Sequence, residues 1–179
     1  MPSLIHRLRS DEALMLAYQR GDAGAFEHLY RRHKDPLFAF LYRGCGHTAA
    51  SEELAQDTWT AVINRAAGYQ PRARFKTWLY RIARNRLADF WRRADNHHAS
   101  LDTAREPPAP ATQDQEALEA ATLRAVASLP REQKDALLLR EQGFSLRDIA
   151  VITASGEETV KSRLRYARGQ LREQLGDLL

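Results

Sequence analysis

Four side chains near the end of the chain, Lys161, Ser162, Arg165 and Arg168, follow one another at helical spacing in a segment whose other face is apolar. Lys161 and Arg165 lie one turn apart, so their cations can reach base edges or phosphates from one side of a helix. A second constellation spans residues 69–93. It holds eight cations, Arg72, Arg74, Lys76, Arg81, Arg84, Arg86, Arg92 and Arg93, against the single acid Asp89. Six aromatics are interleaved: Tyr69, Phe75, Trp78, Tyr80, Phe90 and Trp91. Cations that follow a sugar–phosphate backbone, beside aromatics that receive unstacked bases, suit a nucleic acid that is opened or single-stranded. The aromatics also have a plainer reading. Trp78, Phe90 and Trp91 fall on the apolar face and can simply hold the segment to its neighbours, which leaves Tyr69, Tyr80 and the loop 68–75 freer to meet DNA. Third, the run Ser51-Glu52-Glu53-Leu54-Ala55-Gln56-Asp57-Thr58-Trp59 opens a helical stretch with three acids. Taken alone it reads as a solvated helix start.

Other chemistries find little support. Cys45, His47, His97 and His98 match no standard metal-ligand spacing. There is no P-loop, no His-Glu-x-x-His and no Gly-x-Ser-x-Gly. An enzyme or a metal protein is therefore not expected, and no cofactor or metal is expected either.

The elements that must position these residues are helices. Ser10 followed by Asp11 and Glu12 starts one, with acids at the positive end of the dipole, and Gly21 ends it. Phe26, Leu29, Tyr30, His33, Leu37, Phe40 and Leu41 mark a second, which Pro36 is expected to kink. A third runs over about 49–66, and Gly68 stops it. In the fourth, Phe75, Trp78, Leu79, Ile82, Ala83, Leu87, Phe90 and Trp91 keep the i, i+3, i+4, i+7 pattern. Four more segments follow, at about 115–128, 131–142, 145–153 and 156–175. Strict strand alternation is absent, so the predicted fold is all-α.

Residues 94–115 break the pattern, with prolines at 107, 108 and 110 and few large apolar residues. This is the composition of a flexible linker between two small helical domains, 1–93 and 116–179. Extended, it would reach roughly 70 Å; as a coil it would span about 25 Å. The net charge of +4 is unevenly spread. Residues 1–93 carry 16 Lys and Arg against 9 Asp and Glu, net +7; the linker carries −3; the last 64 residues are neutral. A basic first half hints at a polyanionic partner. One cysteine allows no internal disulfide, and no stretch has the length of a signal peptide's apolar core or of a membrane span. The expectation is a cytoplasmic protein without membrane insertion.

The stretch 143–171 is the best-defined motif. Ser145-Leu146-Arg147-Asp148 and Ser155-Gly156-Glu157-Glu158 both fit the capping box, which would start two helices about ten residues apart. Ile149, Ala150 and Ile152 face inward from the first, and Val160, Leu164, Ala167 and Leu171 from the second. This is the pattern of a helix-turn-helix, whose second helix enters the major groove by its N-terminal part; capping boxes are common, and the plainer reading of the segment is a solvated amphipathic surface helix. Glu157 and Glu158 are unusual on such a face. They can serve as cap and dipole partners, or accept a hydrogen bond from cytosine.

The segments GDAGAFEHLYRR (21–32), SEELAQDTWTAVI (51–63), FKTWLYRIARNRLADFWRR (75–93) and LPREQKDALLLREQGFSLRDIAVITASGEETVKSRLRYARGQL (129–171) resemble, in order and spacing, the extracytoplasmic-function sigma factors of the sigma-70 family. The resemblance implies two domains, sigma regions 2 and 4, that bind core RNA polymerase through its β′ coiled coil and β subunit and direct it to promoter DNA. Carried over, Glu53, Leu54, Gln56, Asp57 and Trp59 are the polymerase-docking residues. One acidic position usual in that block is missing, since the sequence reads Ala50-Ser51-Glu52-Glu53-Leu54. Arg72, Arg74, Phe75, Lys76, Trp78 and Asn85 match the block that recognises and melts the −10 element. Glu157, Glu158, Lys161, Ser162 and Arg165 match the helix that reads −35, with Arg168 beside them as a phosphate contact. The acidic linker resembles those that thread toward the polymerase active centre and RNA-exit channel. Many members are held inactive by an anti-sigma factor, so such a factor is counted among the partners. The competing reading is a helix-turn-helix regulator that acts without polymerase; it leaves 51–63 and 69–93 unexplained.

Overall fold

The computed structural model describes residue 6, residues 8–96 and residues 113–176; for residues 96 and 113–117 it describes the backbone. The described residues contain helices and no strand. Four α-helices make the first half: α1 (Asp11–Gln19), α2 (Ala23–Cys45), α3 (Thr48–Arg65) and α4 (Phe75–Asn96). A 3-10 turn, Ala66–Gly68, follows α3. The second half is α5 (Gln113–Ser128), α6 (Arg131–Glu141), α7 (Leu146–Thr153) and α8 (Glu157–Leu175).

Local chemistry explains most of the boundaries. Ser10 caps α1 by accepting from the Ala13 N–H, and Asp22 caps α2 through Ala25. Gly21 and Gly46 take left-handed φ of 102° and 82° at the ends of α1 and α2, a conformation glycine adopts without a Cβ penalty. Pro36, the expected site of a kink, lies inside α2, which runs as one helix of 23 residues. At the two ends of the linker segment, α4 extends to Asn96 and α5 begins at Gln113. Residues 97–112, with His97 and His98, lie outside the described residues.

Leu14, Met15, Leu29, Leu37, Phe40, Leu41, Phe75 and Leu79 are wholly buried at the centre of the first half. Gly44 brings α2 and α4 together, since a Cβ there would sit 2.4 Å from Leu87 Cδ2. Two acids of α1 tie it to α2 and to the start of α4. Asp11 accepts from Arg32 at 2.5 Å and pairs with His33 Nε2 at 2.8 Å. Glu12, read from sequence as a dipole partner of its own helix, accepts instead from the Phe75 N–H at 2.8 Å and so caps α4 from 63 residues away.

In the second half, Ile149, Ile152, Val160, Leu164 and Ala167 form the buried seam of the helix-turn-helix. Of the two expected capping boxes, one exists. Ser145 accepts from the Asp148 N–H while the Asp148 side chain accepts from the Ser145 N–H. The other does not: Gly156 is the N-cap of α8 with no side-chain cap, and the Ser155 hydroxyl bonds Thr153 Oγ1 at 2.8 Å. The cause lies in the turn. Ala154 adopts φ 51°, and this turns Ser155 back toward α7 rather than forward onto α8.

The two halves are docked. α4 packs on α7, and α2 packs on α5 and α6. At the seam the Phe144 ring meets the Tyr80 ring edge-on at 4.9 Å.

Candidate nucleic-acid and polymerase interfaces

On α8, Val160, Leu164 and Ala167 point inward, which turns Lys161, Ser162, Arg165 and Arg168 outward to solvent. Arg140 from α6 and Arg172 from the next turn of α8 join Lys161, Arg165 and Arg168 around one shallow groove. Arg172 was legible, because positions 161, 165, 168 and 172 share one helical face. Arg140 was not: it comes from another helix and holds the α6–α7 connection by donating to the Phe144 carbonyl at 2.9 Å. Five cations thus line a groove that runs along α8 from Lys161 to Arg172; the N-terminal part of such a helix is the part that enters a major groove. Glu157 and Glu158 are exposed in the first turn. Glu158 pairs with Lys161 at 2.5 Å, and this hydrogen bond raises the Lys161 pKa above its ordinary value. Arg165 lies over the Tyr166 ring, 5.1 Å from its centroid.

The second basic segment is organised otherwise. Gln19 Nε2 meets the carbonyls of Ala66, Ala67 and Tyr69 at 2.9, 2.8 and 3.2 Å, fixing the start of the loop before α4. Gln70 to Arg74 are all exposed, which places Arg72 and Arg74 at the tip, with the Arg74 charge acting on Asp148. Asn85 is also exposed, beside Arg65, Arg86 and Arg92. The aromatics expected to meet DNA do not reach the surface. Tyr69 and Tyr80 are 4% and 0% exposed; their apolar faces complete the core rather than a stacking platform. Burial pushes the Tyr69 phenol up to about 12, with the charges of Glu12 and Asp11 adding to it, and burial also raises Tyr80. Phe75 is wholly buried against Tyr69, His33 and Trp78, so it positions the loop and cannot itself touch a base. Trp78 is partly exposed. Lys76 is half-buried, its ammonium donating to the Gln142 carbonyl at 2.6 Å and lying 4.8 Å from the Phe144 centroid. Burial lowers its pKa.

On α3, Glu53, Gln56 and Asp57 are exposed. Leu54 and Trp59 are 2% and 7% exposed and belong to the core between α2 and α3, so they position this face rather than form it. Trp59 packs edge-on to Tyr30 at 5.1 Å and to Phe26 at 5.9 Å. Beside it the surface is hollow, lined by Tyr30, Phe38, Glu52, Gln56 and Ile63 among others. Tyr30 and Ile63 are exposed large apolar residues, so this hollow has an apolar floor and an acidic rim. Sequence reading missed Tyr30, Glu52 and Ile63. The stripe 52, 56, 59, 63 carried the signal.

Cys45 is buried, with Sγ 3.1 Å from Ser51 Oγ. No helix among the described residues is long and apolar enough to cross a membrane.

Known proteins match the chain in both halves. The family model for sigma-70 region 2 matches residues 29–97, and that for sigma-70 region 4 matches residues 119–171. The chain is 33% identical over 171 residues to the ECF RNA polymerase sigma factor SigM of Mycobacterium tuberculosis, covering 95% of this chain and 87% of that protein. It is 32% identical over 170 residues to the RNA polymerase sigma factor CarQ of Myxococcus xanthus, covering 92% and 97%. Among solved structures, CnrH in complex with the cytosolic domain of CnrY shares the fold, with TM-score 0.75, 22% identity and coverage of 94% and 99%. The sigma factor RpoE of Bartonella quintana, in complex with the anti-sigma factor NepR, aligns with TM-score 0.71, 25% identity and coverage of 84% and 96%. Two sigma-70 regions in the expected order, with relatives above 30% identity over nearly the whole chain, make this protein a member of the ECF RNA polymerase sigma factors.

Proposed function

We propose that the chain binds bacterial core RNA polymerase in the cytoplasm and directs it to specific promoters, without enzymatic activity of its own. The observation that carries this reading is the groove beside α8, where Lys161, Arg165 and Arg168 project with Arg140 and Arg172 from a helix-turn-helix. Residues 116–179 read the −35 element. Lys161, Ser162 and Arg165 are placed for base edges, Glu157 and Glu158 for the start of the helix and cytosine, and Arg168 for a phosphate. Residues 1–93 bind core polymerase and open −10. Arg72, Arg74 and Asn85 are the exposed groups that can hold a separated strand, with Lys76 and Trp78 behind them and Phe75 setting the loop. The apolar hollow on α2 and α3, rimmed by Glu52 and Gln56 and continued by Glu53 and Asp57, is the polymerase-docking face. Segment 94–115 is the tether between the two. The Bartonella relative is bound to an anti-sigma factor, and such a factor is included among the partners of this chain.

The experiment is reconstitution with core polymerase and mapping of the transcripts initiated. Defined start sites preceded by shared −35 and −10 motifs are expected. Reversing Glu53 and Asp57 to Arg should weaken holoenzyme formation in a titration. Arg72→Ala, Arg74→Ala and Asn85→Ala should reduce permanganate reactivity of promoter thymines more than they reduce polymerase binding. Transcription unchanged from that of core polymerase alone would refute the reading.

A further inference from the structure

We propose that α1 is a jig for the promoter-melting loop: Glu12 and Gln19, two turns apart on one face of this helix, hold the two ends of residues 69–74 and so fix where Arg72 and Arg74 meet the opened strand. The inference rests on the functional reading above. It makes Glu12 and Gln19 positioning residues, which act on DNA only through the loop.

Neither end of the loop can satisfy its own backbone. The entry is the end of the 3-10 turn Ala66–Gly68, where carbonyls lack helical partners. The Gln19 amide, with two hydrogens to donate, meets three of them, those of Ala66, Ala67 and Tyr69, from 47 to 50 residues away. The exit is the start of α4. The Arg74 carbonyl accepts the first helical bond, from the Trp78 N–H at 3.1 Å, so Arg74 stands where a capping oxygen belongs. The first turn of α4 has no acid, and it carries Lys76. Cations at that end oppose the helix dipole. Glu12 supplies both the missing acceptor and the missing charge from another helix, through the Phe75 N–H at 2.8 Å. By contrast, α8 begins with its own Glu157 and Glu158. An acid within the loop would mend the dipole but would stand beside phosphate. Placing the acid on α1 leaves Arg72 and Arg74 as the only charged residues between Tyr69 and Phe75.

The spacing of the two anchors shapes the loop. Seven residues of helix separate them, a rise of about 10 Å. The six residues 69–74 could extend to about 20 Å. The excess length must arch, and the Arg72 N–H tightens the crest by donating to the Gln70 carbonyl at 2.8 Å. Arg72 and Arg74 are thereby carried out to solvent. Met15, between the anchors on the same face of α1, is wholly buried, and so is Phe75 at the foot of the arch. The loop therefore takes its position from the core, through α1.

The test compares Gln19→Glu, Glu12→Ala and Glu12→Gln in reconstituted holoenzyme. Gln19→Glu keeps the shape and turns oxygens toward the three carbonyls. Glu12→Ala removes the cap of α4, and Glu12→Gln keeps an acceptor for the Phe75 N–H. Three quantities are read: affinity for core polymerase, permanganate reactivity of thymines in a duplex promoter, and transcription from the same promoter premelted as a bubble. Gln19→Glu and Glu12→Ala should each lower permanganate reactivity several-fold, with core affinity at the wild-type level and bubble transcription largely kept. Glu12→Gln should recover most of the lost reactivity. Normal reactivity in Gln19→Glu and Glu12→Ala would overturn the jig. So would a loss that falls equally on core affinity and on the bubble, since it would assign both side chains to general folding. Normal opening by Arg72→Ala and Arg74→Ala would instead refute the functional reading of the loop. The hold of α1 is then read from hydrogen exchange at the Phe75 amide, whose protection Glu12→Ala should lower several-fold and Arg72→Ala should not; unchanged protection in Glu12→Ala would overturn it.

Discussion

The two basic surfaces have similar compositions and different construction. On α8 the cations stand on the outer face of a helix whose inner face is packed, so Lys161, Arg165 and Arg168 are all open to solvent. On α4 the cations are divided. Arg72 and Arg74 in the preceding loop are exposed, while Lys76 and Arg84 hold the other domain, and Phe75 and Tyr80 fill the core. A count of cations and aromatics therefore describes the α8 surface well and the α4 surface poorly. What separates the two is register: in a helix buried on several sides, few positions face outward.

The largest effect that sharpens this contrast is in the core of the −10 segment. Phe75→Ala removes a wholly buried ring and should cost about 3–5 kcal/mol in urea unfolding. Arg72→Ala, three residues earlier at the loop tip, should change stability by less than about 0.5 kcal/mol. Equal effects would mean that Phe75 is not the wedge under the loop.

Next in size is the frame beneath α4. Burial pushes the Asp11 carboxyl up, but hydrogen bonds and charge from His33 and Arg32 outweigh it and hold the group below its ordinary value of 3.8. A depressed carboxyl contributes stability that is complete above its unfolded pKa and lost as pH falls through the folded one. Asp11→Asn should cost about 1–3 kcal/mol at neutral pH. The gap between wild type and variant should close below about pH 4. A gap constant down to pH 3 would assign the cost to shape and not to charge.

The smallest effects compare helix starts in the DNA-reading domain. Ser145→Ala should cost about 1 kcal/mol by breaking the reciprocal box with Asp148. Ser155→Ala should cost less, since it loses one hydroxyl contact with Thr153 and no cap. Thermal unfolding ranks the two directly, and the reverse order would restore Ser155 as the cap of α8.

Legibility in the sequence follows the range of each interaction. Helix positions, the helix-turn-helix and the cationic face of α8 were readable because they depend on neighbours three or four residues apart. The capping of α4 by Glu12 was not, since it joins positions 63 apart. The same is true of the burial of Leu54 and Trp59 between α2 and α3, and of the seam that captures Lys76. The Ser155 box failed for a local reason invisible to a motif: Ala154 takes a left-handed turn that a pattern of residue types does not specify.

The central claim is that α8 reads −35 through Arg165. Transcription of a promoter library randomised at −35, by holoenzymes carrying wild type, Arg165→Ala or Arg168→Ala, tests it most directly. Arg165→Ala should relax preference at one position, by about 1–3 kcal/mol of discrimination. Arg168→Ala should weaken all sequences alike. An unaltered −35 motif with Arg165→Ala would contradict the claim, and with it the groove-facing register of α8.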